Sequence, residues 1–272
     1  MPCRFEDAAS VIHPVVGSLD AHNWVPTGLG LSTALVAARI GTVTGPTESG
    51  ALLEPESFAA LLEPEDWSAL QARGQRRKIA RDAVLMYEGD PGDRVVVLLA
   101  GRVKVTTTGD DGQETLLSIR GPGEILGELS FLDDQPRFST VTTFEPVEIL
   151  TIASAVFGRY LEERPRVALV ILRTLSARFR DASRKRVQFR ELDTVGRLAA
   201  RLVELCERYG EVTPDGTVIG LPLTQEELGA WTGASHAGVA KALQTLRELG
   251  WIQTQRKRIV VCNIDALRHR SS

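Results

Sequence analysis

Three cations, Arg256, Lys257 and Arg258, follow Gln255 at the tip between two short β-type runs, Trp251–Thr254 and Ile259–Val261. A tip of this kind can neutralise phosphates, adding affinity that falls with salt and carries no base information. Upstream, Ser235, His236, Ala237, Gly238 and Lys241 occupy the first turn and a half of an expected helix. His236 and Lys241 can donate to guanine edges and Ser235 can hold a phosphate, while Ala237 and Gly238 let the backbone approach closely. Thr224-Gln225-Glu226-Glu227 is a capping box: the Thr224 hydroxyl accepts the Glu227 backbone N–H, and the Glu227 carboxylate can return to the cap. Thr224, Ser235, His236, Ala237, Gly238, Lys241, Arg256, Lys257 and Arg258 are therefore the candidate duplex-DNA contacts.

Other chemistries find no support. No nucleophile, base and orienting partner stand at interpretable spacing, so no catalytic residue is assigned; Ser154 reads as a helix start and Ser139 as a strand residue. Cys3, Cys206 and Cys262 are unpaired in spacing, and four scattered histidines give no metal or haem pattern. The formal net charge of −3 excludes a uniformly basic nucleic-acid coat, so any DNA-binding charge must be local. No apolar run approaches the ~20 residues of a membrane span. The first residues also lack a secretory pattern, which makes a reduced, cytoplasmic compartment and no membrane partner the expectation.

The elements that must position these residues fall into distinct stretches. Residues 1–53 carry only one modest apolar patch, Leu29–Ile40. They read as a flexible extension, with a small docking helix or an over-long gene start as the other readings. Ser57 and Asp66 are expected to start short helices. Strand signals then recur at Ala83–Tyr87, Val95–Leu99, Arg102–Thr107, Glu114–Ile119, Thr140–Thr143 and Val147–Ile152, punctuated by Gly, Pro and Asp. Many short strands at this spacing indicate a barrel or double-sheet roll, placed at 54–164.

Pro165 can open a helix, and Ala168, Leu172, Leu175, Phe179, Ala182, Arg186 and Phe189 follow in steps of four and three. Such a seam calls for a partner helix, so 165–192 is assigned to dimerisation through Leu172, Leu175, Phe179, Ala182 and Phe189. The other reading is a long helix lying on its own roll. Arg173, Arg178, Arg180, Arg184, Lys185 and Arg190 are expected to keep its remaining faces wet. Asp193 caps the next helix, whose stripe Val195, Leu198, Ala199, Leu202, Leu205 and Cys206 faces a core and which Gly210 ends. Two helices follow, joined by a turn at Gly233, the second running from about His236 to Leu249 with Val239, Ala242, Leu243 and Leu246 buried. With the basic wing they make 193–272 a winged helix-turn-helix.

In this order the pieces resemble the Crp/Fnr family of bacterial regulators over about residues 57–268. The residues that carry the resemblance are Glu88-Gly89-Asp90 with Gly101-Arg102-Val103, Gly127-Glu128-Leu129-Ser130 with Pro136-Arg137, Leu192-Asp193, and Leu223-Thr224-Gln225-Glu226-Glu227-Leu228 leading into Lys241-Ala242-Leu243. The resemblance implies an α+β chain: an N-terminal double-stranded, jelly-roll-like β-roll sensor, a long dimerisation helix and a C-terminal winged helix-turn-helix. It implies a homodimer on duplex DNA, RNA polymerase as a further partner, and cAMP or cGMP as the class of effector. Gly127, Glu128, Leu129, Arg137, Ser139 and Ser183 become the effector-site candidates. Gly127 would let backbone N–H groups approach a phosphate that Arg137 neutralises, and Glu128 would accept a ribose hydroxyl. Glu128 and Arg137 could instead pair with each other across the roll.

The sequence departs from that pattern where cAMP-binding relatives place a serine after the arginine; here Phe138 stands there. A lost hydrogen bond to a charged group costs roughly 1.5–3 kcal/mol, about 10- to 150-fold in affinity. Ala182 replaces a threonine, although Ser183 is kept, and Ser235-His236-Ala237 replaces the usual Ser-Arg-Glu of the base-reading helix. A different effector, or ligand-independent DNA binding, therefore stays open beside cyclic nucleotide. The rival from another class is a cyclic-nucleotide-binding regulatory subunit of an enzyme, which would leave the capped helices and basic wing without purpose.

Overall fold

The computed structural model describes residues 56–272 except Asp111, Pro222, Arg256, Lys257 and the side chain of Phe189. The expected 1–53 extension and its Leu29–Ile40 patch lie outside the described residues. A short turn of 3-10 helix at Ala59–Leu61 precedes helix α1, Pro64–Gln71. The helix begins at Pro64 rather than at the expected Asp66, because proline fits the first helical position, where no backbone N–H is needed. Asp66 is buried instead and accepts from Arg164 Nη1 at 2.6 Å and Arg166 Nε at 2.5 Å.

Two four-stranded antiparallel sheets make the roll. One has the order β1 (Gln75–Ile79), β8 (Val147–Ala153), β3 (Arg94–Ala100), β6 (Ile125–Leu126). The other runs β2 (Val84–Met86), β7 (Thr140–Thr143), β4 (Val103–Thr108), β5 (Glu114–Arg120). Strand β3 is buried on both faces, which explains its unbroken apolar run. Val96 and Leu98 join Val103, Leu126, Val141 and Ile149 between the sheets, whereas Val95, Val97 and Leu99 pack with Phe58, Leu70, Phe157 and Tyr160 under the helices. Strand β1 escaped sequence reading because Gln75-Arg76-Arg77-Lys78 has no apolar alternation and edges its sheet.

The short helix α2 (Glu128–Asp133) lies between β6 and β7, and α3 (Ser154–Glu163) follows β8. Helix α4 spans Pro165–Glu191, 27 residues and therefore about 40 Å at 1.5 Å per residue. It has two apolar faces. Val167, Val170, Ile171 and Thr174 are buried, with the three apolar residues in the roll's outer core, while Leu172 is 57% exposed and Phe179 74% exposed. Leu175, expected on the partner-facing seam, is half-buried and packs against the roll, the arrangement that the other reading, a long helix lying on its own roll, describes for this part of α4.

Asp193 caps α5 (Thr194–Tyr209), accepting the Gly196 N–H at 2.8 Å. Gly210 does end this helix, but with φ −78° rather than left-handed; a Cβ there would lie 2.4 Å from the Cys206 carbonyl, so close approach is what requires glycine. The chain then forms β9 (Gly210–Thr213), β10 (Gly216–Ile219), α6 (Gln225–Thr232), α7 (His236–Glu248), β11 (Ile252–Gln255), β12 (Arg258–Val261) and α8 (Ile264–Arg270). These four strands form a sheet in the order β11-β12-β10-β9. The stripe of α5 and the Val239, Ala242, Leu243 and Leu246 face of α7 meet in one core. Among the described residues, no helix is long and apolar enough to cross a membrane.

Candidate effector cavity and DNA-binding surface

A cavity of about 1030 Å³ opens where the roll, α4 and the helix-turn-helix meet. Its roll side is the loop from β6 into α2 together with the start of the β7 arm. Gly127 holds φ +79° at the start of α2, and a Cβ there would fall 2.3 Å from Arg137 Nη1, so only glycine leaves room for that guanidinium. Arg137 is 4% exposed. It donates from Nη1 to the Gly127 carbonyl at 3.0 Å, and from Nη2 to the Arg94 carbonyl at 2.6 Å and Asp93 Oδ1 at 3.2 Å.

Glu128 does not pair with Arg137, the alternative the sequence allowed; its carboxylate accepts from Arg178 on α4. Arg178 was expected on a wet face and is instead mostly buried, bridging Glu128, Glu124 and the Ile125 carbonyl. Burial pushes the Glu124 carboxyl up, but Arg178 and Arg120 beside it outweigh that and hold it below the usual carboxylate range. Arg208 of α5 reaches the same carboxylate at 3.4 Å, so this acid links the roll, α4 and the DNA-binding end.

Gly127, Glu128, Leu129, Arg137 and Ser139, the effector-site candidates of the roll, all line the cavity. Phe138, the departure noted in the sequence, joins them and is 62% exposed. Ser183 is not brought to this cavity: it is exposed on α4, one residue and about 100° of helical turn from Ala182, which does line it. Lys185 was also expected in solvent; it lines the cavity and binds Glu204 at 2.6 Å. Sequence reading missed Arg201, Ala230, Trp231 and Gly233 as cavity residues, because they come from a different domain and no local spacing joins them to Arg137.

The DNA-binding side is organised by caps. Thr224 Oγ1 accepts the Glu227 N–H at 3.1 Å, and Glu227 Oε2 accepts the Thr224 N–H at 2.9 Å, completing the capping box. Gly233 takes φ +61° at the turn, and Ser235 Oγ accepts the Gly238 N–H at 3.2 Å to start α7. Thr224, Ser235, His236, Ala237 and Lys241 are exposed and Gly238 half-exposed, so the candidate base-reading turn is open to a duplex. Arg247 on α7 donates to Thr254 Oγ1 on β11 at 3.0 Å, fixing the wing against α7. Arg258 is exposed at the start of β12; Arg256 and Lys257 lie outside the described residues.

A roll with a large, mostly apolar cavity at its edge, a long helix with a bare apolar face and a capped, winged helix-turn-helix define a DNA-binding regulator with a sensor-type roll. Residues 76–164 match the cyclic nucleotide-binding domain, and residues 196–270 match the Crp-like helix-turn-helix domain. Over 191 residues the chain is 32% identical to the CRP-like cAMP-activated global transcriptional regulator of Mycobacterium tuberculosis, covering 70% of this chain and 85% of that protein. Over 200 residues it is 30% identical to the global nitrogen regulator of Synechococcus elongatus, covering 73% of this chain and 90% of that one. The fold is shared with the c-di-GMP responsive global regulator CLP of Xanthomonas campestris, at a TM-score of 0.67 and 23% identity over 73% of this chain and 99% of that one. The chain belongs to the Crp/Fnr family of transcription regulators, with a cyclic nucleotide-binding domain and a DNA-binding helix-turn-helix.

Proposed function

We propose that this regulator binds duplex DNA as a homodimer whose affinity is set by a cyclic nucleotide, cAMP or cGMP, held in the roll. The observation that carries this reading is Arg137, almost fully buried beside the left-handed Gly127 and next to Glu128, on the wall of one large cavity. An arginine fixed by two carbonyls and Asp93 is preorganised to neutralise a phosphate, and Glu128 has acceptor capacity for a ribose hydroxyl. Relatives named as cAMP-activated, from Mycobacterium tuberculosis and Pseudomonas aeruginosa, support the class of effector. The global nitrogen regulator and the c-di-GMP responsive regulator are reasons to test it directly.

The proposed division is an extension at 1–53, a sensor roll at 54–164, a dimerising helix at 165–192 and the DNA-binding domain at 193–272. The dimer would close over Leu172, Phe179 and Ala182, joined by the exposed Leu169 and by Phe189, with Leu175 left to the roll. Ser183 on that exposed face would then reach the partner's effector site. Two copies of α7 related by a two-fold would meet successive major grooves about 34 Å apart. Thr224, Ser235, His236, Ala237, Gly238 and Lys241 would face the groove and its edge, with Arg256, Lys257 and Arg258 on phosphates. RNA polymerase is the further partner in this reading.

Calorimetric titration with cAMP and cGMP, on the protein and on Arg137→Ala, tests the effector assignment. Micromolar binding that the substitution abolishes is expected. No binding of either nucleotide would assign the cavity to another ligand or the regulator to ligand-independent DNA binding.

A further inference from the structure

Though its surface is mostly apolar, the cavity is more positive than one phosphate requires. Seven of its lining residues are cations and two, Glu128 and Asp181, are acids. Most of the cations are answered by acids nearby. Arg120 and Arg178 meet Glu124, and Arg178 also meets Glu128. Lys185 meets Asp181 and Glu204, and Arg201 meets Glu204. Arg137 has Asp93 and two carbonyls. Arg186 and Arg190 of α4 line the cavity too, are exposed, and have no ion pair among the described residues.

The pair is spaced to take an anion. Residues four apart share one helix face, with Cβ atoms about 5–6 Å apart, so two guanidiniums can close on one phosphate. Like charges at that spacing, with no acid against them, destabilise the helix. A second copy of α4 could not supply the missing acids, because the helix carries eight cations and only Asp181 and Glu191 against them. Arg186 stands eight residues beyond Arg178, the partner of Glu128, and therefore about 12 Å along the axis from the roll end of the cavity. Arginine side chains reaching in from both ends shorten that span toward the phosphate separation of a dinucleotide. Leu126, Phe138, Val141 and Phe179 line the same cavity and offer apolar surface to bases.

We propose that Arg186 and Arg190 form a second phosphate subsite, so that the cavity takes a dinucleotide with one phosphate at Arg137 and the other at this pair. This rests on the effector reading at Arg137 and deepens it: cAMP and cGMP, with one charge each, fill only the roll end. A cleft lined by one sign of charge focuses its field on the ligand, which favours the more highly charged one. Contiguous phosphates, as in ATP, leave one of the two ends empty.

The test is calorimetric titration of the full-length protein, of Arg186→Gln with Arg190→Gln, and of Arg137→Ala. The probes are cAMP, cGMP, c-di-AMP and c-di-GMP, with ATP as the contiguous-phosphate control, and circular dichroism confirms that each variant is folded. At least one dinucleotide is expected to bind the unaltered protein about tenfold or more tightly than its mononucleotide, the lower end for hydrogen bonds to a charged group. The double variant should lose that ratio and keep its mononucleotide affinity. Because the ratio is taken within one variant, any change in dimerisation cancels. A ratio near one, a ratio that survives in the double variant, or ATP matching the dinucleotide overturns the second subsite and leaves the cyclic-nucleotide reading standing. So does a double variant that keeps the ratio but loses affinity for a duplex, which would give both arginines to DNA. Failure of the unaltered protein to bind any of these nucleotides, or indifference to Arg137→Ala, overturns the effector reading and the subsite with it.

Discussion

The two ends of this regulator are assembled by different rules. At the DNA-binding end, each helix is started by residues three apart in sequence: Asp193 with Gly196, Thr224 with Glu227, Ser235 with Gly238. The effector cavity has no such local grammar; Gly127, Arg137, Arg178 and Trp231 arrive from a loop, a strand approach, a long helix and another domain. The first end can be altered one cap at a time. At the second, one substitution disturbs several elements at once.

That contrast can be broken or sharpened by substitution. The largest stability effect is expected inside the winged-helix core: Leu246→Ala, fully buried, should cost about 2–5 kcal/mol by denaturant unfolding. Glu124→Gln follows at roughly 1.5–3 kcal/mol near neutral pH, the worth of hydrogen bonds to a charged group. Because the folded carboxyl titrates below its ordinary 4.5, its contribution is complete above that value and is lost as pH falls through the folded one. Melting temperatures of the protein and of Glu124→Gln should therefore converge in acid; a gap that stayed constant with pH would contradict the shared-acid account of the cavity.

Thr224→Ala should cost about 1 kcal/mol, with hydrogen-exchange protection lost first at the start of its own helix. Equal loss of protection at the Asp193 and Ser235 helix starts would contradict caps that act one at a time. The smallest effect belongs to the wing: Arg258→Ala should weaken all duplexes alike and lower the slope of log K against log salt by about one. A change in sequence preference instead would make Arg258 a base reader.

The same contrast decides what could be read from the sequence. The strands with alternating or continuous apolar runs, the hinge cap, the helix-turn-helix and the wing were all legible, because turn residues and periodicity act over a few positions. Strand β1 was not, since its charged residues serve an edge; α4 was legible as a helix but not in its facing, since Leu175 and Arg178 turn to the roll only once the roll exists. Gly127, Glu128 and Arg137 could be picked by resemblance, but Arg178 as the partner of Glu128 and Trp231 as a cavity wall depend on tertiary docking. Local chemistry marks the candidate surface for DNA, and packing completes the candidate effector cavity.

The central claim, a winged helix whose hold on DNA is set from the roll, is tested most directly by fluorescence anisotropy of a labelled duplex at fixed salt, with and without saturating cAMP and, separately, cGMP. A shift in DNA affinity of about 5- to 150-fold, lost in Arg137→Ala, is the expected result. Equal affinity in the presence and absence of both cAMP and cGMP would contradict it.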